Sequence, residues 1–269
     1  MSSIKDKLWL LGETPGSHHA NPYYKLPGVN TMTPLEGLEF YGIRNLCRMK
    51  MGVDKDLNYA NDPLIDDKKG VMDKLSLSLL GAGGRGDGAT DASTMDEIFE
   101  VAKKDKRLVS AINDDFFCGN RPQIFTPDVL ARQREELHNG IERPIEFWSV
   151  IYERSIIKNE DVYAHAKEYD LTTFWVWYGE NIKNMVAYIE WAKSLTKDGR
   201  VILGLYMWDY GNGCAISDDV MKFQLDVAYE RMVKGDLEGV MLHSSNNSDI
   251  GLSSTVITKE WIEEILKNS

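Results

Sequence analysis

Acidic residues end several short apolar segments of the chain, and carboxylates in such places can do acid–base chemistry. Asp114 and Asp115 end the segment LVSAINDD, and Glu153 ends the segment FWSVIYE. Two carboxyl groups that flank a glycosidic bond can cleave it, because one gives a proton to the leaving oxygen while the other attacks or activates water. We therefore interpret Asp114, Asp115 and Glu153 as the catalytic candidates.

Asp114 and Asp115 are consecutive, and successive side chains of an extended segment point to opposite sides. We expect one of them to face the site, while the other caps the next loop or pairs with an arginine. The alternative is that both are turn residues, for which aspartate is common. Glu153 shares its strand face with Ser149, a small polar residue that suits an interior position; its alternative role is an ion pair with Arg154.

Further polar and aromatic residues stand at or just beyond the ends of the other apolar segments. Aromatic rings pack on the apolar faces of sugars, while their N–H and O–H groups bond hydroxyls. Acids and aromatic residues with few cations favour a neutral polyhydroxylated substrate over a phosphorylated one. The candidates for substrate binding are Glu13, His18, Trp177, Glu180, Trp208, Asp209 and His243.

These candidates have structural alternatives. Aromatic residues dominate ordinary cores, and Glu180 can begin a helix, where an acid suits the helix dipole. Asp209 falls on the same side of its segment as Leu205, which predicts an outward direction unless a bulge turns it. A lone histidine such as His243 is more often structural, but an inward-facing one can bond a hydroxyl or ligate a metal.

The apolar segments alternate with helical patterns, which is typical of parallel strands joined by right-handed crossovers. Eight strands predict an α/β fold, a single (β/α)8 TIM barrel over residues 1–269, and this length suits a barrel of typically ~250 residues. The strands are expected at about 8–12, 46–51, 75–80, 108–113, 145–152, 171–178, 201–207 and 239–243. The residues expected to face the helices are Leu77, Leu203, Leu205 and Leu242, and those expected to face the interior are Ser76 and Ser78.

Capping signals mark several helices between these strands. Thr33 opens a capping box and predicts a helix over 34–45. Thr126, which precedes a proline, predicts another helix over 127–139. Thr258 is expected to cap the last helix.

The connections that follow strands are long, whereas those that follow helices are short. The long connections are 14–33, 81–92, 114–125 and 244–257. Long loops in compact domains are usually functional, so this asymmetry predicts a site at the C-terminal face of the barrel. Gly81, Gly83 and Gly86 form a GxGxxG pattern, but no helix begins next to it, so we favour a rim loop over a dinucleotide site.

Composition argues against several classes of partner. The net charge of −11, without a compensating basic cluster, argues against a nucleic-acid surface. No apolar run approaches the ~18 residues of a membrane span, and the three separated cysteines give neither a zinc spacing nor a disulfide framework. We expect no cofactor and no metal, a small-molecule or oligosaccharide substrate, and a cytoplasmic location, although a removed signal peptide would leave the same sequence. A homo-oligomer is compatible with these features.

The layout resembles that of (β/α)8 glycoside hydrolases, in which acids that end strands and aromatic residues surround one mouth. The resemblance covers the whole chain in architecture and lacks a specific family motif. The large retaining clan carries an Asn-Glu pair after strand 4 and a Glu after strand 7, whereas here strand 4 ends in Asn113–Asp114–Asp115 and strand 7 in Trp208–Asp209. The chitinase-like pattern of spaced acids that ends in Glu on strand 4 is also absent. The resemblance implies a glycosidase.

Two other functions stay open. A divalent-metal-dependent sugar isomerase, aldolase or lyase could use Glu153, Asp209 and His243 as oxygen and nitrogen ligands. A carbohydrate-binding barrel without catalysis would have the same fold. A glycosidase that works with carboxylates alone should keep its activity after chelation, whereas the metal enzyme should lose it. Converging acid and histidine groups in a structure would favour the metal enzyme.

Overall fold

The computed structural model describes residues 4–54, 57–80, 92–158 and 162–267. Within these residues the chain forms two sheets. In chain order the strands are β1 (Leu8–Gly12), β2 (Asn45–Arg48), β3 (Lys74–Leu80), β4 (Leu108–Asn113), β5 (Glu146–Tyr152), β6 (Leu171–Trp175), β7 (Val201–Tyr206), β8 (Trp208–Asp209), β9 (Cys214–Ala215) and β10 (Gly239–His243). All strands except β8 and β9 belong to one closed barrel.

The eight barrel strands run parallel in the order β1–β10–β7–β6–β5–β4–β3–β2. The first and last strands of the chain complete the closure, and Leu11 pairs there with His243. Because all strands run in one direction, their C-terminal ends meet at one face. The predicted (β/α)8 barrel is confirmed. The short β8 and β9 form a separate antiparallel hairpin after β7, which the sequence pattern did not predict.

Helices stand between most of the barrel strands. In chain order the described α-helices are α1 (Pro34–Tyr41), α2 (Ala92–Lys104), α3 (Arg121–Ile124), α4 (Pro127–Asn139), α5 (Glu153–Ile157), α6 (Tyr163–Ala166), α7 (Met185–Leu195), α8 (Asp218–Lys234) and α9 (Ser253–Lys267). The described part of the β2–β3 connection contains only short 3-10 turns, at 52–54 and 59–61. None of the described helices has the length and apolar character needed to cross a membrane.

The cap of α1 confirms the predicted capping box. The Thr33 side chain accepts a hydrogen bond from the backbone N–H of Glu36, and the Glu36 carboxylate accepts one from the backbone N–H of Thr33. The helix ends at Tyr41, earlier than predicted, because Gly42 has a left-handed backbone with φ +69°. Such a glycine stops a helix and satisfies its last carbonyl groups.

The prediction for the last helix was wrong. This helix begins at Ser253, so Thr258 lies inside it rather than at its cap. The Thr258 hydroxyl donates a hydrogen bond of 2.7 Å to the carbonyl of Ser254, one turn earlier. A threonine can make this bond within a helix as well as cap one, so its type alone did not locate the end. The GxGxxG pattern at 81–86 lies outside the described residues.

Large side chains fill the barrel interior near its C-terminal face. The indole of Trp175 lies so close to Gly204 that a Cβ atom there would come within 2.0 Å of the ring. Gly204 therefore leaves the space that this ring occupies. Tyr206 and His243 line a cavity at this face. Since strand side chains alternate, Leu205 points the other way, towards the helices, as predicted.

A buried arginine joins the loops that follow β1 and β2. Arg48, which ends β2, is fully buried, and its Nε atom donates a hydrogen bond of 2.8 Å to Asp62. Its Nη2 atom lies 3.1 Å from the Thr14 hydroxyl, which in turn donates a hydrogen bond of 2.5 Å to Asp54. This network connects the start of the long 14–33 loop to the barrel.

Candidate active site

A cavity of about 40 Å³ lies at the C-terminal end of the barrel. At ~10–15 Å³ for each water molecule, it has room for about three. The residues that line it are Leu11, Glu13, His18, Tyr24, Met51, Asp114, Asp115, Val150, Tyr152, Trp175, Trp177, Tyr206, Tyr210 and His243. Of the predicted site residues, Glu13, His18, Asp114, Asp115, Trp177 and His243 line this cavity, whereas Glu153, Glu180, Trp208 and Asp209 do not.

Both aspartates after β4 face the same cavity, although only one of them was expected to do so. The strand ends at Asn113, and Asp115 has a left-handed backbone with φ +47°. The alternation of side chains applies to extended backbone only. The turn at Asp115 therefore allows its carboxylate to lie beside that of Asp114, at the cost of a conformation that non-glycine residues seldom adopt.

The surroundings of Asp114 favour its protonated form. Burial raises the pKa of Asp114 well above its ordinary value, and the negative charges of Asp115 and Glu13 raise it further. The charge of Arg121 and the backbone N–H of Asp115, which donates a 2.9 Å hydrogen bond to Oδ1, act in the opposite direction and are smaller effects. A carboxyl group that keeps its proton at a higher pH than usual suits a general acid.

Asp115 is held from the neighbouring strand. Tyr152, the last residue of β5, donates a hydrogen bond of 2.8 Å from its hydroxyl to Oδ1 of Asp115. The Nη2 atom of Arg154 lies 3.9 Å from the same oxygen, and the Arg154 guanidinium lies 4.5 Å from the centre of the Tyr152 ring. About a fifth of the Asp115 side chain is exposed, at 21%. Asp115 is therefore oriented while it remains accessible from the mouth.

Glu13 and His18 form a buried pair on the opposite part of the wall. Oε1 of Glu13 lies 2.8 Å from Nε2 of His18, and Oε2 accepts hydrogen bonds of 2.8 Å from the side chains of Ser244 and Asn246. Burial alone would raise the pKa of Glu13, but the charge and hydrogen bond of His18, the charge of His243 and the hydrogen bond of Asn246 lower it to about 2. Glu13 is thus a fixed negative charge in the cavity.

His243 ends β10 and packs on His18. The two rings are stacked, with centroids 5.0 Å apart, and the Tyr206 ring lies against the His243 ring, with centroids 4.6 Å apart. Burial lowers the pKa of His243 to about 3, even though the charge of Glu13 acts to raise it. Burial thus opposes protonation of the imidazole. Its Nδ1 atom is buried and has no hydrogen-bond partner among the described residues.

Aromatic rings form the rest of the wall. Tyr24, from the loop after β1, packs edge-on against Tyr210 and Trp177, with centroids 4.9 and 6.2 Å apart. Trp208 lies behind this wall and donates a 2.8 Å hydrogen bond from Nε1 to the Tyr24 carbonyl. Trp177 is thus placed to contact a ligand, whereas Trp208 holds the loop that carries Tyr24.

The structure places Glu153 outside the cavity. Val150 and Tyr152 line the cavity, so the β5 face that was predicted to point inward points away from it. Glu153 begins α5, is fully buried, and accepts hydrogen bonds of 2.8 and 3.0 Å from the backbone N–H groups of Trp177 and Tyr178. Its carboxylate therefore positions the loop after β6, which carries Trp177.

Glu180 and Asp209 lie together beside the hairpin rather than in the cavity. Asn212 donates hydrogen bonds of 2.7 Å to Glu180 and 2.9 Å to Asp209 through its side chain, and its backbone N–H donates a third to Asp209 at 3.0 Å. Both acids thus hold the turn between β8 and β9. Because this turn was not predicted, the sequence did not indicate that Asn212 would bond both acids.

Several residues of the site were missed in the sequence. Tyr24 lies in the middle of a long polar loop, and nothing in its neighbourhood marks it as a cavity residue. Tyr152 could have been found by choosing the other face of β5, since it directly precedes Glu153. Ser244 and Asn246 follow His243, and only the closure between β1 and β10 brings them to Glu13.

No protein-family model and no curated protein matches this chain. Its fold is similar to that of solved glycosidases over nearly the whole length. A chitinase from Chromobacterium violaceum has a TM-score of 0.59 and 9% identity, with 97% of this chain and 99% of that chain covered. The catalytic domain of a family GH18 chitinase from the fern Peteris ryukyuensis has a TM-score of 0.57 and 12% identity, with 97% of this chain and 99% of that chain covered. A glycoside hydrolase family 18 N-acetylglucosaminidase from Paenibacillus barengoltzii has a TM-score of 0.56 and 10% identity, with 96% of this chain and 99% of that chain covered. At such low sequence identity, the structural similarity shows a shared fold and nothing further.

Proposed function

We propose that this chain is a glycoside hydrolase that cleaves a neutral glycan in the cavity at the C-terminal end of the barrel. The observation that supports it most is the pair Asp114 and Asp115, which share one cavity through the left-handed backbone at Asp115. A residue in a sparsely populated conformation carries strain of ~1–3 kcal/mol, and such strain is concentrated at functional sites.

Each carboxyl group has a role that its surroundings favour. Asp114, with its raised pKa, gives its proton to the glycosidic oxygen while the bond from that oxygen to the anomeric carbon breaks. Asp115, held by Tyr152, attacks the anomeric carbon or takes a proton from the water that does so. Glu153 acts indirectly, by positioning Trp177.

The lining residues point to a neutral sugar as substrate. Among the described residues no lysine or arginine lines the cavity, so a phosphorylated or carboxylated sugar would lack a counter-charge. Trp177, Tyr24 and Tyr210 offer ring faces for the apolar side of a pyranose. Solved proteins of similar fold are chitinases and an N-acetylglucosaminidase, so glycosides of N-acetylglucosamine are the first substrates to test.

Substrate entry requires a movement of the aromatic wall. A cavity with room for about three water molecules is too small for a sugar ring. Tyr24 is the lining tyrosine on the long loop after β1, and its backbone carbonyl accepts a hydrogen bond from Trp208. We expect the part of this loop around Tyr24 to move outward when the glycan binds, and the contact between Tyr24 and Tyr210 to open.

A panel of aryl glycosides, assayed with purified full-length protein, tests the proposal. The parent should hydrolyse at least one member, and Asp114→Asn and Asp115→Asn should each lower kcat by ~10² or more, as is typical when a positioned acid or base is removed. Asp209→Asn is the matched control, because Asp209 is a buried acid in strand β8 of the hairpin and does not line the cavity. No hydrolysis of any glycoside by the parent, or full turnover in both site variants, would contradict the proposal.

A further inference from the structure

We propose that Glu13, His18 and His243 form a binding site for a divalent transition-metal ion of the Zn²⁺ type in the wall of the cavity. This site is separate from the hydrolytic pair and goes beyond the proposed function. The three residues are buried, and one ligand atom from each lies within 4.8 Å of the others. Two imidazoles and one carboxylate are a ligand set that zinc enzymes use.

The barrel closure holds these ligands together. Glu13 follows β1 directly, His18 lies five residues later in the same loop, and His243 is the last residue of β10. The two strands are paired, with Leu11 opposite His243. All three ligands therefore stand on or beside neighbouring strand ends, which fixes their separation before any ion binds.

In Glu13 and His18, the side-chain atoms that would not touch the ion already have protein partners. Oε2 of Glu13 accepts hydrogen bonds from Ser244 and Asn246, which leaves Oε1 facing His18. Nδ1 of His18 lies 2.8 Å from the Tyr210 hydroxyl, which leaves Nε2 facing Glu13. Outer partners of this kind orient metal ligands and fix the tautomer of a ligating histidine.

The unpartnered nitrogen of His243 is an independent indication of a ligand. His243 is more than nine-tenths buried, and its Nδ1 atom has no hydrogen-bond partner among the described residues. Buried polar atoms are almost always satisfied, and an exception often marks an ion or water site. An unprotonated imidazole nitrogen has a lone pair that can bind a metal ion.

The ligand types decide which ion fits. Imidazole nitrogen suits Zn²⁺ and its transition-metal neighbours, whereas Mg²⁺ and Ca²⁺ prefer oxygen ligands. When the ion binds, it coordinates Nε2 of His18 and Oε1 of Glu13, and the contact of 2.8 Å between these two atoms is replaced by two bonds to the metal. Three protein ligands leave a coordination position open to the cavity, where a water molecule or a sugar hydroxyl can bind.

Calorimetric titration of chelator-treated full-length protein with ZnCl₂ tests this site. We expect one Zn²⁺ per chain, at least ~10-fold weaker binding in His243→Ala, and ~10–100-fold weaker binding in Asn246→Ala, which removes an outer partner of Glu13. His19→Ala is the matched control, since His19 adjoins His18 but does not line the cavity, and its Nε2 atom lies 3.1 Å from the Pro27 carbonyl. MgCl₂ should give no saturable heat.

A second measurement does not depend on the folding of variants. Co²⁺ added to the parent protein should give the visible absorption bands of a four- or five-coordinate site, and Zn²⁺ should displace it. Absence of these bands together with absence of saturable Zn²⁺ binding would overturn the proposal, as would unchanged Zn²⁺ affinity in a folded His243→Ala protein. Neither measurement uses a glycoside, so failure here is distinguishable from failure of the hydrolase proposal.

Discussion

The Tyr152 hydroxyl donates a hydrogen bond of 2.8 Å to Oδ1 of Asp115, and so links the end of β5 to the turn after β4. Tyr152→Phe removes this bond without removing the ring. A hydrogen bond to a charged group is worth ~1.5–3 kcal/mol, so we expect kcat to fall by ~10–100-fold. Tyr188→Phe, on α7 and away from the cavity, is the control and should leave kcat unchanged. Equal kcat in the parent and Tyr152→Phe would show that Asp115 needs no orientation.

The left-handed backbone of Asp115 makes stability and activity separable at one position. Asp115→Gly and Asp115→Ala both remove the carboxylate, so both should lower kcat by ~10² or more. Only the alanine variant retains a Cβ atom, which disfavours the left-handed backbone, and it has no polar side chain to compensate. Its free energy of unfolding should therefore be ~1–2 kcal/mol lower than that of the glycine variant. Urea denaturation measures the difference. Equal stability of the two variants would contradict the backbone assignment.

The raised pKa of Asp114 predicts a defined pH dependence. The protonated acid is the active form, so kcat/KM should fall as the pH rises through the pKa of Asp114. Burial raises this pKa most, the charges of Asp115 and Glu13 raise it further, and the charge of Arg121 lowers it. Asp115→Asn removes one negative charge beside Asp114, which makes ionisation easier and moves the pKa to a lower pH.

Carbon-13 NMR of the labelled aspartate carboxyl groups measures this shift without an activity assay. The Asp114 signal, assigned by its loss in Asp114→Asn, should titrate well above the ordinary aspartate range in the parent and at lower pH in Asp115→Asn. Asp209→Asn should leave it in place. Titration of Asp114 in the ordinary range in the parent would remove the basis for its role as the acid.

Arg48 predicts a large stability effect away from the cavity lining. Arg48→Met leaves the carboxylate of Asp62 buried without its partner, and breaking a buried ion pair costs ~3–5 kcal/mol. Arg44→Met is the matched control. Arg44 directly precedes β2, and its ion pair with Asp73 is exposed, so the pair should contribute only ~0–1 kcal/mol to the free energy of unfolding. Urea denaturation of both variants gives the comparison. Similar losses in the two would mean that the Arg48 network carries little stability.

Much of the fold follows from local patterns in the sequence. The alternation of apolar segments with helical patterns predicts the barrel, and Thr126 with Pro127 predicts α4 over its observed range. These signals depend on residues that are close in the sequence, so they can be recognised without knowledge of the tertiary structure. The β8–β9 hairpin has no comparable signal, because its strands are two residues each.

The candidate site was only partly predictable for a physical reason. Strand ends marked Asp114, Asp115 and His243 correctly as residues of the C-terminal face, because the fold places all strand ends there. Whether a side chain then enters the cavity depends on the backbone immediately after the strand. Glu153 begins a helix and turns away, whereas Asp115 takes a left-handed conformation and turns in. The contact of Glu13 with Asn246 joins residues far apart in sequence, so no spacing rule reveals it.

The most direct test of the account is the leaving-group dependence of Asp114→Asn. A poor leaving group needs a proton from the enzyme, whereas dinitrophenolate departs without one. On N-acetylglucosaminides that the parent cleaves, we predict that Asp114→Asn lowers kcat/KM by ~10²–10⁴-fold for a methoxyphenyl leaving group and far less for a dinitrophenyl leaving group. An equal loss on both glycosides, or no loss on either, would contradict the assignment of Asp114 as the general acid.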